Sequence, residues 1–169
     1  MNVSNLFEKV KSTLMLGLLS ASVSVLATPV QALPFQLKPL TAEQSLAVKQ
    51  ASALATIAMI YQPDCSWCKK QGKTLAKAFE QCQASVNIVL VGTQGNARQL
   101  KKELKYYHNG IPAYKADRQF LRKIGGYQAS PTTLIFDEHG ELIVKKRGFI
   151  DEDKLANALS IVSRNKCLI

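Results

Sequence analysis

Two cysteines three positions apart, Cys65 and Cys68, stand between an apolar run and an amphipathic helical pattern, and a second apolar run follows. That order constrains the fold more than any other feature of the chain. Residues 54–61, LATIAMIY, read as a strand buried on both faces and ended by Pro63. Beyond it Cys68, Leu75, Phe79 and Cys82 recur at spacings of seven, four and three, which puts them on one helix face. Lys69, Lys70, Lys73, Lys77 and Glu80 lie mostly elsewhere around that helix. Residues 86–91, VNIVLV, read as a second buried strand. Strand, helix, strand in this order predicts parallel strands joined by a right-handed crossover.

The flanking segments extend the pattern. Residues 33–39, LPFQLKP, suit a short edge strand bounded by prolines. Thr41 with Gln44 three residues on is a capping-box pattern that opens a short helix. The long connection 92–130 holds two helical stretches. One begins at Asn96 as its cap, and the other places Phe120, Leu121 and Ile124 on its apolar side and stops at Gly125 and Gly126. Residues 132–136 and 141–147 flank the turn DEHG, a hairpin signal. In 151–166, three acids open a helix with Leu155, Leu159 and Val162 at helical spacing, and Arg164 and Lys166 follow where the dipole favours cations.

Not all of the 169 residues belong to this domain. Lys9 and Lys11 precede an uncharged apolar stretch of 14 residues, 14–27, and Val30 and Ala32 supply a small-x-small cleavage pattern. A basic segment, an apolar segment and a cleavage site are the layout of a secretory signal peptide. The apolar run falls short of the ~20 residues that span a bilayer. The expectation is therefore a signal peptide over residues 1–32, cut after Ala32 or alternatively after Ala27, and a folded domain over 33–169. No cysteine stands at the boundary to carry a lipid. With 47% hydrophobic residues, the domain can build its own core.

Export changes how the cysteines read, because exposed thiols in an oxidising compartment tend to form disulfides. Zinc needs four ligands at paired spacings. Here a single C-x-x-C is accompanied by Cys82, Cys167, His108 and His139, the histidines both in polar turn sequences. No metal site is expected. The formal charge is +10, and it becomes +9 without residues 1–32, which carry Lys9, Lys11 and Glu8. The basic residues are spread along the chain and aromatics are few, so no nucleic-acid module is implied; solvated surface charge is the default reading.

The pair itself carries chemistry. At a helix start, residues i and i+3 come round to the same side, so two sulfurs can close a small ring. The first lies at the helix N-terminus, where unpaired N–H groups and the positive dipole end stabilise a thiolate and lower cysteine pKa from ~8.5 toward ~3.5–7.5. Cys65 reads as the nucleophile and Cys68, one turn in on the apolar face, as the resolving thiol. The competing reading is a static bridge, although so small a loop restricts the unfolded chain little.

With PDCSWCK after a buried strand, YQASPTTLIFDEHGELIVKKRG downstream and Gly148 before the last helix, the chain resembles the thioredoxin superfamily, in particular its exported TlpA-type thiol:disulfide oxidoreductases. The resemblance spans about residues 54–162. It implies an α/β, thioredoxin-like fold with a mixed central sheet flanked by helices on both faces. It also implies a cis peptide bond at Pro131, facing the redox pair, with Trp67, Ser130 and Pro131 as substrate-binding residues. Two departures stand out. Thioredoxin keeps a buried acid in the strand before the motif, whereas residues 56–62 have neither acid nor base. Asp64 replaces a usual tryptophan and opposes a Cys65 thiolate, while Lys69 and Lys70 favour one.

In this fold the helix after the pair and the C-terminal helix share a sheet face, so Cys82 and Cys167 can meet at the far end. A structural Cys82–Cys167 disulfide is one reading; a buried core thiol with a free terminal cysteine is the other. The resemblance further implies a periplasmic enzyme without a cofactor that reduces disulfides of exported clients and takes electrons from a membrane or periplasmic donor protein. A disulfide isomerase or oxidase is the alternative within the class. A copper-binding thiol module is the alternative outside it, since soft thiolates suit copper(I).

Overall fold

The computed structural model describes residues 36–41 and 54–169. The expected signal peptide and the helix after Thr41 lie outside the described residues. The expected strands and helices downstream become β2 (Thr56–Tyr61), α1 (Ser66–Cys82), β3 (Asn87–Gly92), α2 (Ala97–Glu103), α3 (Arg118–Lys123), β5 (Thr132–Phe136), β6 (Leu142–Arg147) and α4 (Glu152–Val162). Two short strands complete the sheet: β1 (Lys38–Pro39) and β4 (Ala113–Lys115).

Among the described residues the sheet has six strands in the order β1-β4-β3-β2-β5-β6. β2 runs parallel to β3, and β3 to β4. β5 returns antiparallel to β2, β6 antiparallel to β5, and β1 antiparallel to β4. Every residue of β2 is buried, as a central strand with helices on both sides requires.

The two faces of β2 sort the core. Ile57, Met59 and Tyr61 pack with Cys68, Leu75 and Cys82 of α1 and with Leu155 and Leu159 of α4. Ala58 and Ile60 face the other way, joining Phe120 and Ile124 of the α3 region and Leu134 and Phe136 of β5. Period-two alternation in the strand thus meets helical stripes on each side.

Capping fixes the helix starts. Asn96 and Gln99 form a reciprocal capping box at α2, with both bonds 2.9 Å. Asp117 accepts the Phe120 N–H at 2.7 Å, and Asp151 accepts the Lys154 N–H at 2.9 Å. At the end of α3, Lys145 of β6 reaches across to the carbonyls of Ile124, Gly125 and Gly126 at 2.9, 3.2 and 2.6 Å. That ammonium satisfies acceptors a helix end leaves open.

Strand ends shift by one or two residues, and three further differences from the sequence expectation are larger. α2, whose cap falls at Asn96 as expected, is short and gives way to a 3-10 turn at Leu104–Tyr106. α4 stops at Val162, because Arg164 and Asn165 take positive φ values of 55° and 62°. The edge strand near the N-terminus keeps two paired residues, Lys38 and Pro39.

Candidate active site

β2 ends at Tyr61, and Pro63 and Asp64 turn the chain, Asp64 with φ 56°. Cys65 then serves as the N-cap of α1: its backbone is extended, and its Sγ accepts the Cys68 N–H at 3.1 Å. Sulfur replaces the usual cap oxygen. The N-terminal donors and dipole of a 17-residue helix therefore point at the Cys65 sulfur. The first turn of α1 holds no acid that would offset this field.

Cys65 and Cys68 are joined in a disulfide with Cα atoms 5.2 Å apart. Cys68 is fully buried and Cys65 is half-buried, so of the two only the N-capping residue keeps solvent-exposed surface. Trp67 between them is 57% exposed.

Ser130 and Pro131 come to the same end of the sheet. Thr132, the next residue, pairs with Ile60 across β2 and β5, which sets Pro131 beside the strand end that leads to Cys65. The Ser130–Pro131 peptide bond is cis. Tyr127 anchors this loop to the redox loop. Its hydroxyl donates to the Gln62 side-chain oxygen at 2.7 Å and makes a short bond with the Ser130 hydroxyl. Burial raises the Tyr127 pKa and the Ser130 bond opposes that rise, so the phenol stays a donor at neutral pH.

A third segment closes the site. The Gly148 N–H donates to the Pro131 carbonyl at 2.8 Å, and Gly148 has φ 83°, a region that costs glycine nothing. Phe149 follows, its ring 5.8 Å from Trp67, with Lys70 Nζ 4.6 Å from the Phe149 ring centre and 5.1 Å from that of Trp67. The Ile150 N–H then donates to Gln71 Oε1 at 2.7 Å in the interior.

Beside the pair, Lys69 Nζ lies 3.7 Å from the buried carboxylate of Glu103 and 4.0 Å above the Tyr106 ring. Glu103 comes from α2. A buried acid therefore approaches the helix of the redox pair from a neighbouring helix, not from β2.

The expected site residues thus separate into two groups. Cys65, Cys68, Trp67, Ser130 and Pro131 gather at one end of the sheet. Cys82 and Cys167 sit at the other end of α1, both buried, with Cα atoms 5.3 Å apart and their sulfurs bonded. Sequence reasoning missed Phe149, Gln71 and Glu103. Gln71 and Glu103 had a signal: each is a polar residue at helical spacing on an apolar face, three after Cys68 and three after Leu100. Phe149 had none beyond following Gly148.

A family model for the thioredoxin-like domain matches residues 42–163. The chain belongs to the thioredoxin-like domain family. Its mixed sheet with helices on both faces is that family's fold. Solved structures agree in fold. A thiol:disulfide interchange protein of the thioredoxin family from Chlorobium tepidum is 16% identical, with TM-score 0.63 over 81% of this chain and 98% of that one. The exposed lipoprotein thioredoxin of Streptococcus pneumoniae is 15% identical, with TM-score 0.62 over 75% and 98%. A secreted disulfide oxidoreductase of Mycobacterium tuberculosis is 12% identical, with TM-score 0.58 over 76% and 96%. No curated protein matches the chain. Family membership and the closed C-x-x-C together make it a chain of thiol:disulfide oxidoreductase type.

Proposed function

We propose that this protein reduces disulfides of exported proteins through Cys65 and Cys68. The observation that carries the reading is the division of labour between the two sulfurs. Cys65 is the accessible cap at the positive end of α1, and Cys68 is buried one turn behind it. In the reduced state the Cys65 thiolate attacks a client disulfide, forming a mixed disulfide and expelling one client thiolate, which takes up a proton. The Cys68 thiol loses its proton and attacks Cys65 Sγ, releasing the second client thiolate. Two electrons have then passed to the client, and the Cys65–Cys68 disulfide remains. A dithiol donor protein in the membrane or periplasm restores the pair.

Trp67, next but one to Cys65 in the chain, and Ser130 and Pro131 at the same end of the sheet would hold an extended client strand. Ser130 and Pro131 contribute backbone at the edge of the site, and Trp67 contributes an exposed ring. A periplasmic setting is supported by the signal-peptide pattern over residues 1–32. It is also supported by the second pair of bonded cysteines, since such bonds persist in oxidising compartments. The Cys82–Cys167 bond would be structural, closing a loop of sequence separation 85.

The test is the reduction potential of the Cys65–Cys68 couple with insulin reduction alongside. A value near ~−270 mV, with activity lost in Cys65→Ser, supports a reductant; one near ~−120 mV assigns an oxidase instead.

A further inference from the structure

The rim of the redox pair carries an arrangement that thiol chemistry alone does not require. Lys70 stands between the Trp67 and Phe149 rings, its ammonium 5.1 and 4.6 Å from their centres. Among the described residues no carboxylate lies within ion-pair distance of it. Lys69 and Lys105 both lie over the Tyr106 ring, 4.0 and 4.9 Å from its centre. Arg147 ends β6 opposite Thr132, the residue after Pro131, and is held there by Gln128. Cations from α1, the 3-10 turn and β6 therefore lie on or beside the segments that carry the redox pair and Pro131.

The acids nearby do not balance them. Glu103 is buried beneath Lys69, and Glu152 is engaged by Lys77 at 2.9 Å farther along α1. Asp151 is taken by Lys154. Asp64, exposed just before Cys65, is the one acid beside the pair left without an ion-pair partner among the described residues.

Flanking rings matter for Lys70. They hold its ammonium by cation–π attraction, so little side-chain freedom remains to be lost when an anion pairs with it. Trp67 and Tyr106, 57% and 42% exposed, add apolar surface beside the charges.

Building on the proposed reductase activity, we infer that this rim selects client segments that carry acidic residues next to their cysteine. A client strand laid over Pro131 and Cys65 brings its neighbouring side chains onto the Trp67–Lys70–Phe149 stack. There a carboxylate meets Lys70 and an ammonium is repelled.

The test uses the protein reduced with dithiothreitol and freed of reductant, followed by the fluorescence of its single tryptophan, Trp67. Two disulfide-bonded peptides, identical except for glutamate or lysine beside the cysteines, are compared with uncharged 2-hydroxyethyl disulfide. At low ionic strength the glutamate peptide should react about tenfold faster than the lysine peptide. The gap should shrink to about twofold or less in 0.5 M salt. Lys70→Glu should abolish or reverse the preference. Lys166→Glu, the same change in net charge at the far end of α1, should leave it intact.

Equal rates for the two peptides, while the uncharged disulfide is still reduced, would overturn the inference and spare the reductase reading. A preference lost equally in Lys166→Glu would also overturn it, as an effect of net charge. So would indifference to peptide charge combined with binding to anionic phosphatidylglycerol vesicles that Lys70→Glu removes, which would assign the rim to a lipid surface. Failure to reduce any of the three disulfides would end both readings.

Discussion

Gln71 Oε1 accepts the backbone N–H of Ile150 at 2.7 Å, bridging 79 residues of sequence inside the protein. This bond ties the helix of the redox pair to the segment that presents Phe149 to Trp67. The Gln71 Nε2 group is buried with no acceptor among the described residues. Replacing Gln71 by leucine therefore has two opposed effects, each about 1–3 kcal/mol: the Ile150 N–H loses its partner, and the stranded amide disappears. Net stability should change by less than about 1.5 kcal/mol. The Ile150 amide, however, should exchange with solvent more than about tenfold faster as its segment opens locally. Unchanged exchange in Gln71→Leu would mean that other contacts hold the loop.

Gly72 lies against Tyr107. A Cβ built at Gly72 would come within 2.4 Å of Tyr107 Cδ1 and 2.7 Å of Cε1, and Tyr107 in turn packs edge-on to Tyr61 at 5.2 Å. Alanine is the better helix former, yet here the clash should prevail. Gly72→Ala should destabilise the protein by about 1–3 kcal/mol, measured as a fall in the denaturant midpoint. A stabilised variant would show that the Tyr107 ring moves aside freely.

The buried phenols predict alkaline lability. Burial holds Tyr61 and Tyr107 well above the usual tyrosine range, with the Glu103 carboxylate adding to the rise, and pushes Tyr114 up to about 12. In the unfolded chain these groups lose protons near pH ~10. Above that pH the unfolded state binds fewer protons than the native one, so stability declines with rising pH. It is fully present below pH ~10 and is lost as pH climbs toward the folded values. Tyrosinate absorbance should lag in the native protein and appear abruptly with alkaline unfolding. A smooth titration of all tyrosines near pH ~10 without unfolding would contradict it.

The bond between Cys82 and Cys167 closes a long loop, and in the chain-entropy model it is worth roughly 4 kcal/mol. The double change Cys82→Ala with Cys167→Ala should lower the denaturant midpoint accordingly. Reduction of a small disulfide by Cys65 and Cys68 should continue at the unmodified rate, since the bond sits at the opposite end of α1. An unchanged midpoint would remove the structural role.

Much of this fold could be read along the chain where one physical constraint dominated. β2 and β3 announce themselves as apolar runs because a central strand must be apolar on both faces, and α1 shows its stripe because a single face is buried. β4 could not be read. Its three residues follow Pro112 and become a strand through pairing with β3 on one side and β1 on the other, helped by the Leu90 N–H to Pro112 carbonyl bond at 2.8 Å. That is a tertiary effect, with too few residues to show a period. At the site, the cysteines and Pro131 were legible from spacing and resemblance. Phe149 was not, because its contact with Trp67 joins residues far apart in sequence. Glu103 stood three residues after Leu100, on the apolar face of its helix, but among so many charged neighbours only the packing of α2 against the core shows that it is buried.

The central claim is that Cys65 attacks clients and Cys68 releases them. Trapping tests it most directly: reduced Cys68→Ser and Cys65→Ser proteins are mixed with a disulfide-bonded client peptide, quenched, and mapped by mass spectrometry. The account predicts a stable client adduct on Cys65 in the first variant and none on Cys68 in the second. An adduct on Cys68 as abundant as that on Cys65, or no adduct in Cys68→Ser, would contradict it.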